Sequence, residues 1–503
     1  MYPRRDFIKK AGLLAISLAI PRYIWASAKQ LTTKKWQYFD DNALIDLHCH
    51  PSLKAYLFDK KFYLRHYDRN PGINLVNQQE DAHEFNSGKV RAAITTHYLL
   101  EGGVHLEWKT INALWWLIDI LFDFSDKIEA ESDRNTDQII DMINILEKQI
   151  RVANARGNLF TYEVVYNFQQ LSDIMNDPQS KIIPLMHATE GAHALGRNLV
   201  RSDKKKAEKK SYAQKNGLAL NNLYIKPVLP REGLMQPNGP DDASQYITNL
   251  HRLWERGVCL ITLSHFFPND IAYPVEGISP DGKRSVGMKT NYDPLNDNIG
   301  LTSIGKQVVA AMLDKGVIVD LTHTTPQVRQ DVFSINRECS VPRPLVFSHV
   351  GFQDLFDRYD FGLYPTYKFY DVSKEEIEQI SSEKCGNGVI GIIPEIFFLA
   401  GSNRAAPIDE ENGIPYMIET MKAINQHTPK QQFDNIAIGT DFDGLATNPK
   451  DLYLNHQLGR LYKAMQDDPE IAPHVHKITH CNALRLLQYG WDGPPNPYKN
   501  PAV

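Results

Sequence analysis

The sequence predicts a (β/α)8 barrel, the TIM-barrel fold, enlarged by long loop and helical insertions. Eight short runs rich in Val, Ile, Leu or Ala alternate with segments whose apolar residues recur at helical spacing. This alternation is typical of parallel α/β folds, and runs that are apolar throughout are typical of strands buried on both faces. The predicted strands are 43–47, 90–95, 182–186, 258–263, 317–321, 345–348, 389–393 and 436–440.

Helical patterns fill most of the gaps between these runs. The clearest covers 302–315, where Thr302 or Ser303 can cap the start and Gly316 can end the helix in the left-handed conformation. Apolar residues at helical spacing predict two further helices, 137–151 and about 478–488.

The chain is much longer than a minimal barrel, which needs about 250 residues. Segment 268–299 is rich in Pro, Gly, Asn and Asp, so we expect a long loop at the mouth of the barrel. The basic stretch 201–210 is predicted to be a solvated surface segment. The insertions in the 503-residue chain fall at 52–180, 197–250 and 350–435.

The N-terminus indicates an export signal. Paired arginines at 4–5 precede an apolar stretch at 11–20, and small residues at 26–28 offer a cleavage site. The pattern resembles the twin-arginine signal of bacteria. An anchor helix is the alternative, but the apolar stretch is short for a bilayer span. We predict a signal peptide over 1–28, a single barrel domain over 29–503, a periplasmic or otherwise exported location, and no stable membrane span after cleavage.

Composition argues against several classes of protein. The net charge is -5 and the basic residues form no broad stripe, so nucleic acid is not an expected partner. The cysteines are few and widely spaced, which is unlike a disulfide framework or a zinc knuckle. We expect most of them to be buried structural thiols. They are Cys49, Cys259, Cys339, Cys385 and Cys481.

Two histidines end the first predicted strand. Residues two apart in a strand share a face, so His48 and His50 can point inward together while Cys49 points away. Imidazole is a good ligand for zinc and related divalent ions. Alone, the pair is also compatible with ordinary polar residues at a strand end.

Further ligand types follow three later strands. Glu190 comes just after the third, and a carboxylate with two oxygens can bridge two cations. His323 and His349 follow two consecutive strands, so together they can supply ligands for a second ion. Parallel barrel strands bring their carboxyl ends to one mouth. The sequence therefore predicts one binuclear metal centre.

An acid ends the last predicted strand. Asp441 is placed to reach a metal-bound water, which loses its proton near neutral pH between two divalent ions. It can accept that proton and pass it to a leaving amine.

The order of these motifs resembles the membrane (renal-type) dipeptidase family of the amidohydrolase superfamily. The resemblance covers most of residues 43–490, and Gly-Thr-Asp-Phe-Asp-Gly is its most specific block. The blocks are His-x-His at 48–50, Glu-Gly-x-His at 190–193, Ile-Thr-Leu-Ser-His at 261–265, Asp-Leu-Thr-His at 320–323, Phe-Ser-His-Val at 347–350 and Gly-Thr-Asp-Phe-Asp-Gly at 439–444.

The resemblance implies a role for each site residue. One zinc ion would be bound by His48, His50 and Glu190. The other would be bound by Glu190, His323 and His349. Asp441 would be the proton shuttle, while His265 would bind the substrate beside the scissile carbonyl and stabilise the oxyanion.

The chain departs from the family pattern at two points. The family usually has His-x-Asp at the first strand, whereas this chain has His50 in place of the acid. The family also places an arginine about ten residues beyond the last zinc histidine to hold the substrate carboxylate. Arg358 is the nearest candidate here, and the residues around it align poorly.

The sequence thus predicts a zinc-dependent dipeptidase that uses two divalent ions and hydrolyses the peptide bond by a metal-bridging hydroxide. One alternative keeps the metal pair but cleaves another amide or an ester, such as an N-acyl amino acid or a lactone. An alternative of another class is a non-catalytic binding protein of the cell envelope on the same barrel. The expected partner is a dipeptide or another small molecule, and a homodimer stays an open alternative.

Overall fold

A computed structural model gives the fold of the chain. It describes residues 44–65, 78–101, 135–157, 159–177, 179–196, 242–266, 269–275, 300–355, 367–399, 412–444 and 448–495. Some predictions lie outside these residues: the export signal at 1–28, the basic stretch 201–210, most of the mouth loop at 268–299, and Arg358.

Eight parallel strands close into a barrel, as predicted. Each strand pairs with its neighbour around the ring, and the pairing of Asp46 with Ile438 joins the last strand to the first. The barrel strands are β1 (Leu44–Cys49), β2 (Val90–His97), β4 (Ile182–Glu190), β5 (Val258–Thr262), β6 (Ile318–Asp320), β7 (Val346–Val350), β8 (Val389–Ile392) and β9 (Ile436–Ile438). All eight predicted strands are confirmed.

A ninth strand was not predicted. This strand, β3 (Thr161–Val164), pairs only with β4, from Thr161 beside Ile182 to Val164 beside Leu185. The ring itself closes without it, because β4 pairs directly with β2 between Leu185 and Thr189.

Helices surround the barrel. Predicted helix 302–315 is confirmed as Ser303–Lys315: the Thr302 hydroxyl accepts from Gly305 N at 2.9 Å, and Gly316 ends it at φ 72°. The α-helices are Leu53–Phe58, Ala82–Ser87, Asn135–Ala155, Phe168–Asn176, Ser244–Glu255, Ser303–Lys315, Pro326–Glu338, Lys374–Ile380, Ile396–Leu399, Gly413–Asn425, Leu458–Asp467 and Asn482–Gly490. Short 3-10 turns occupy Ala192–Leu195, Tyr367–Tyr370, Glu383–Cys385, Lys450–Leu452, Asn455–Gln457 and Ala472–His474, and Lys477–Cys481 is a π-helical turn.

The other two predicted helices are also present. Segment 137–151 lies within Asn135–Ala155, and 478–488 covers the π-helical turn and the helix that follows it.

Within the part of the chain that the structure describes, no helix is both long and apolar enough to cross a bilayer. The five cysteines are free thiols; three are buried, Cys339 is half-buried and Cys481 is exposed.

Two apolar layers hold the strands in place. Inward-facing residues such as Ile45, Leu47 and Met186 fill the barrel, while outward-facing residues such as Leu185 and Ile261 pack against the helices. Because both faces of the strands are covered, the strands themselves are rigid. Side chains at their carboxyl ends are therefore held at fixed positions around the mouth.

Candidate metal centre

The candidate ligands sit where regular strand geometry breaks down. The register of β1 shifts between Asp46 and Cys49, and that of β7 shifts between Phe347 and Val350. Such irregularities re-aim side chains, here turning His48 and His349 towards the mouth. His323 and Asp441 instead follow strand ends in the left-handed conformation, at φ 66° and φ 50°. Non-glycine residues adopt that conformation only where the surrounding structure enforces it.

One group of ligand atoms forms around β1 and β4. The Nε2 atoms of His48 and His50 lie 3.0 Å apart. His48 Nε2 is 3.5 Å from Glu190 Oε1, and His50 Nε2 is 3.4 Å from Glu190 Oε2. All three side chains are buried. Cys49 points away from them, with its thiol 3.7 Å from the carbonyl oxygen of Ile94.

A second group forms at the Oε1 oxygen of the same carboxylate. The Nε2 atoms of His323 and His349 lie 2.9 Å apart. They are 3.3 Å and 3.6 Å from Glu190 Oε1. Glu190 therefore contacts both histidine pairs, as a bridging ligand must.

The two residues expected to act on the substrate lie beside these groups. Asp441 Oδ1 is 2.9 Å from His50 Nε2 and 3.8 Å from His48 Nε2. His265 Nε2 is 3.7 Å from Glu190 Oε2, and its ring packs against Tyr98 and Phe266. The structure thus brings together seven of the eight residues singled out in the sequence; the eighth, Arg358, lies outside the described residues.

Two buried aspartates that the sequence analysis did not single out support the ligands. Asp46 Oδ1 accepts from the backbone N of His48 and of Thr440, and its Oδ2 accepts from the Thr440 hydroxyl at 2.6 Å. Asp320 Oδ2 accepts from the Ser348 hydroxyl at 2.7 Å, and that hydroxyl lies 2.8 Å from His349 Nδ1. The sequence held a signal for both aspartates. Asp46-Leu47 comes directly before His48, and Asp320-Leu321 comes before His323 with one residue between them.

A third supporting acid, Glu101, lies behind His265. Its Oε2 accepts from the Tyr98 hydroxyl and from Phe266 N, both at 3.1 Å, and is 3.5 Å from His265 Nδ1. The carboxylate is buried and faces the ring nitrogen that points away from the ligands. Nothing in the local sequence marked it, because Glu101 follows β2 whereas His265 follows β5.

Burial sets the protonation of the histidines. It holds the pKa of His48 well below its usual value, and the neighbouring imidazoles add to the effect. Burial lowers the pKa of His349 and of His265 as well. Burial also opposes protonation of His50, but the bond to Asp441 and the charge of Glu190 outweigh it and raise its pKa. His48 and His349 are thus neutral at pH 7, the form in which imidazole binds metals.

The donor set fits a pair of divalent ions. Four imidazole nitrogens and a shared carboxylate are ligands that zinc accepts, and a shared carboxylate can hold two ions together. The separations of 2.9–3.6 Å between ligand atoms suit neighbours on one ion. Glu190 Oε1 is buried and accepts no hydrogen bond from the described residues. A buried carboxylate oxygen without a donor is costly unless a cation satisfies it.

The link from Ser348 to His349 gives a first testable prediction. Ser348→Ala removes the hydroxyl that joins His349 Nδ1 to Asp320, so the ring loses its orientation. We expect zinc affinity to fall by about 10–100-fold, the usual effect of losing a partner behind a ligand. Zinc-buffer titration measures it. Thr262→Val is the matched control, because Thr262 donates to the same Asp320 oxygen at 2.6 Å without touching His349. Equal losses in both variants would contradict the orienting role.

Comparison with protein families gives a match over the second half of the chain. The model of the membrane dipeptidase family, peptidase family M19, matches residues 232–489, just over half of the 503. Dipeptidase aclJ of Aspergillus oryzae is 24% identical over 272 residues, 53% of each chain. The uncharacterized dipeptidase C3A11.10c of Schizosaccharomyces pombe is 25% identical over 229 residues, 46% of this chain and 44% of its own. The chain thus spans about half the length of these curated relatives.

Solved structures resemble the whole barrel. Dipeptidase AC, a metallopeptidase of family M19, superposes with a TM-score of 0.59 at 16% identity, covering 90% of this chain and 99% of its own. A Rhodobacter sphaeroides metallopeptidase, bound to a phosphinate mimic of the dipeptide L-Ala-D-Ala, gives the same score and identity over 90% and 100%. The probable dipeptidase PvdM of Pseudomonas aeruginosa reaches 0.53 at 12% identity over 97% and 99%. At these identities the likeness shows the fold.

Proposed function

Because the chain belongs to the membrane dipeptidase family, peptidase family M19, we propose that it is a dipeptidase that hydrolyses the peptide bond with two divalent ions, zinc first among them. The observation that carries the proposal is the convergence of four imidazole Nε2 atoms on the single carboxylate of Glu190. This donor set lies at the carboxyl ends of the barrel strands, the end at which substrates bind in this fold.

The ligands divide into two sets that share Glu190. His48 and His50 complete one set, and His323 and His349 complete the other. When bound, two divalent ions supply a hydroxide nucleophile near neutral pH and polarise the carbonyl oxygen of the substrate. The histidine and glutamate ligands are buried, and electrostatic interactions are stronger between buried groups than in bulk water.

Asp441 and His265 are the two residues proposed to act on the substrate. Asp441 is held as an anion, because His50 and the other imidazoles lower its pKa although burial alone would raise it. It can therefore accept a proton and later donate it to the departing amine. His265 faces the ligands through Nε2, where it can stabilise the negative charge that develops on the carbonyl oxygen.

The test combines metal analysis with a substrate screen of the purified full chain. We expect about two ions per chain and turnover of dipeptides, starting with L-Ala-D-Ala because the Rhodobacter sphaeroides protein binds its mimic. N-acyl amino acids and lactones belong in the same screen. If the chain binds two ions and hydrolyses acyl amides or lactones but leaves dipeptides intact, its substrate is another amide or an ester. A chain that binds ligand without ions or turnover would be a binding protein.

We also propose that residues 1–28 direct export of the chain and are then removed, as the twin-arginine pattern predicts. Expression of the full chain in a bacterial host and N-terminal sequencing of the periplasmic fraction test this. We expect the mature protein to begin at Lys29. Full-length protein confined to the cytoplasm would contradict the proposal.

A further inference from the structure

We infer that Asp46, Cys49 and Glu80 form a further metal site, separate from the histidine ligands, for a divalent ion that accepts both oxygen and sulfur. Its role would be structural, because it joins β1 to the segment that carries Glu80. The inference does not rest on the proposed function, since none of these three side chains is a ligand of the proposed metal pair. It adds one ion to that pair, so the chain would carry about three ions when both proposals hold.

The first step is the backbone of β1, which brings Asp46 and Cys49 together. Residues three apart in a regular strand point to opposite faces of the sheet. The register of β1 shifts between Asp46 and Cys49, and this irregularity lets both side chains approach one place. One ligand atom from each of Asp46, Cys49 and Glu80 lies within 4.8 Å of the other two. Side chains this close can converge on one ion.

The second step is the segment that carries Glu80. Gln79 N donates to Asp443 Oδ1 at 2.6 Å, and Asp443 N donates to Gln79 Oε1 at 2.8 Å. These two bonds tie the segment to the residues that follow β9. Glu80 Oε1 itself accepts from Asn455 Nδ2 at 3.3 Å. The Glu80 carboxylate is therefore held beside β1 by contacts that occupy only one of its oxygens.

The third step is that buried oxygens at this place lack donors. Glu80 Oε2 is buried and has no hydrogen-bond partner of normal geometry among the described residues, and the same is true of Asp443 Oδ2. The side chains of Asp46, Cys49 and Glu80 are all fully buried. A buried carboxylate oxygen without a donor is costly unless a cation satisfies it.

The fourth step is charge. The buried carboxylates of Asp46, Glu80 and Asp443 surround the Cys49 thiol. Lys54 Nζ pairs with Asp443 Oδ1 at 2.9 Å, whereas Asp46 and Glu80 have no ion pair among the described residues. Burial raises the pKa of Glu80 well above its usual value, the charges of Asp443 and Asp46 raise it further, and its hydrogen bonds offset only part of the rise. The cluster is thus short of positive charge, which a divalent ion would supply.

The fifth step is the kind of ion. A thiolate is a soft ligand and a carboxylate a hard one, and zinc binds both, at about 2.3 Å and about 2.0–2.2 Å. Calcium and magnesium take oxygen ligands instead. When zinc binds, the Cys49 thiol gives up its proton to solvent. The proposed metal pair has no sulfur ligand. A bond between metal and thiolate would therefore report this site alone.

The experiment replaces zinc with cobalt(II), which shows thiolate-to-metal charge-transfer absorption in the near ultraviolet only where a thiolate is bound. The full chain is expressed in minimal medium supplied with cobalt, so that a buried site fills as the protein folds. Wild type is compared with Cys49→Ser, Glu80→Gln and the control Cys259→Ser. Cys259 is the matched control because it is also fully buried on a barrel strand but belongs to no group of ligand atoms among the described residues.

We expect wild type and Cys259→Ser to show the absorption and about three cobalt ions per chain by mass spectrometry. Cys49→Ser and Glu80→Gln should each lose one ion and, with it, the absorption. Circular dichroism checks folding. Should Cys49→Ser not fold, because position 49 lies between two histidine ligands, Glu80→Gln decides the question.

Wild type without the absorption overturns the inference, and protons rather than a metal then compensate the buried acids. A folded Cys49→Ser or Glu80→Gln protein that keeps the absorption overturns it equally. The same spectra separate this inference from the proposed function. Absorption with fewer than about three ions supports this site and overturns the metal pair. Two ions without absorption leave the metal pair standing and overturn this site.

Discussion

Replacing Glu190 with glutamine is expected to abolish binding of the metal pair and, with it, peptide-bond hydrolysis. Glu190 Oε1 faces His48, His323 and His349, and Oε2 faces His50. A glutamine amide would turn one oxygen into a donor and remove the only charge shared by the two ligand sets. Metal ions contribute several kcal/mol of transition-state stabilisation, so we expect kcat/KM to fall by at least about 10³-fold.

Metal content and dipeptide turnover, measured on the same preparation, check this result. Glu84→Gln is the matched control, because Glu84 is also a buried acid beside an imidazole, 2.8 Å from His456 Nδ1. We expect that control to keep two ions and wild-type turnover. A Glu190→Gln protein that binds two ions as tightly as the wild type would show that Glu190 does not bridge them.

The eight barrel strands could be predicted because burial on both faces leaves a continuous apolar run. Such a run is visible in one sequence without any knowledge of its neighbours. The strand β3 has no such run: three of its four residues are half-exposed, and it pairs only with the first half of β4. β3 forms because the first residues of β4 come before the part of β4 that pairs with β2, so they offer β3 a partner strand. That partner is provided by the tertiary structure and cannot be seen in the local sequence.

The candidate site could be predicted in its residue types but not in its geometry. Ligand residues at the ends of consecutive strands must meet, whatever their exact orientation. The register shift that turns His48 inward, and the left-handed backbone of His323, depend on contacts with other segments of the chain. Val275 N, for example, donates to His323 O at 2.7 Å from a segment almost fifty residues away.

The supporting residues show the same limit. Asp46 serves His48 and Thr440 at once, and burial raises its pKa to about 7 although these bonds lower it. A sequence pattern places an aspartate near a histidine, but it cannot show that a residue nearly four hundred positions away shares the carboxylate. That Asp46 binds both His48 and Thr440 can be seen only in the folded structure.

Replacing Asp441 with asparagine is expected to lower kcat by about 10²–10⁴-fold, the usual range for the loss of a general acid–base group. Asparagine keeps the shape of the side chain and an oxygen towards His50, but it cannot accept a proton. The assay must be run at saturating zinc, with two ions verified in the sample. Under those conditions the loss of turnover reports proton transfer rather than metal binding.

Asp443→Asn is the comparison variant for this measurement. Asp443 also follows β9 in the left-handed conformation, but its Oδ1 accepts from Lys54 Nζ at 2.9 Å and from Gln79 N, away from the ligands. We expect that variant to lose stability through Lys54 and to keep most of its kcat. Near-normal turnover in Asp441→Asn with both ions bound would remove Asp441 from proton transfer, and the departing amine would then need another donor.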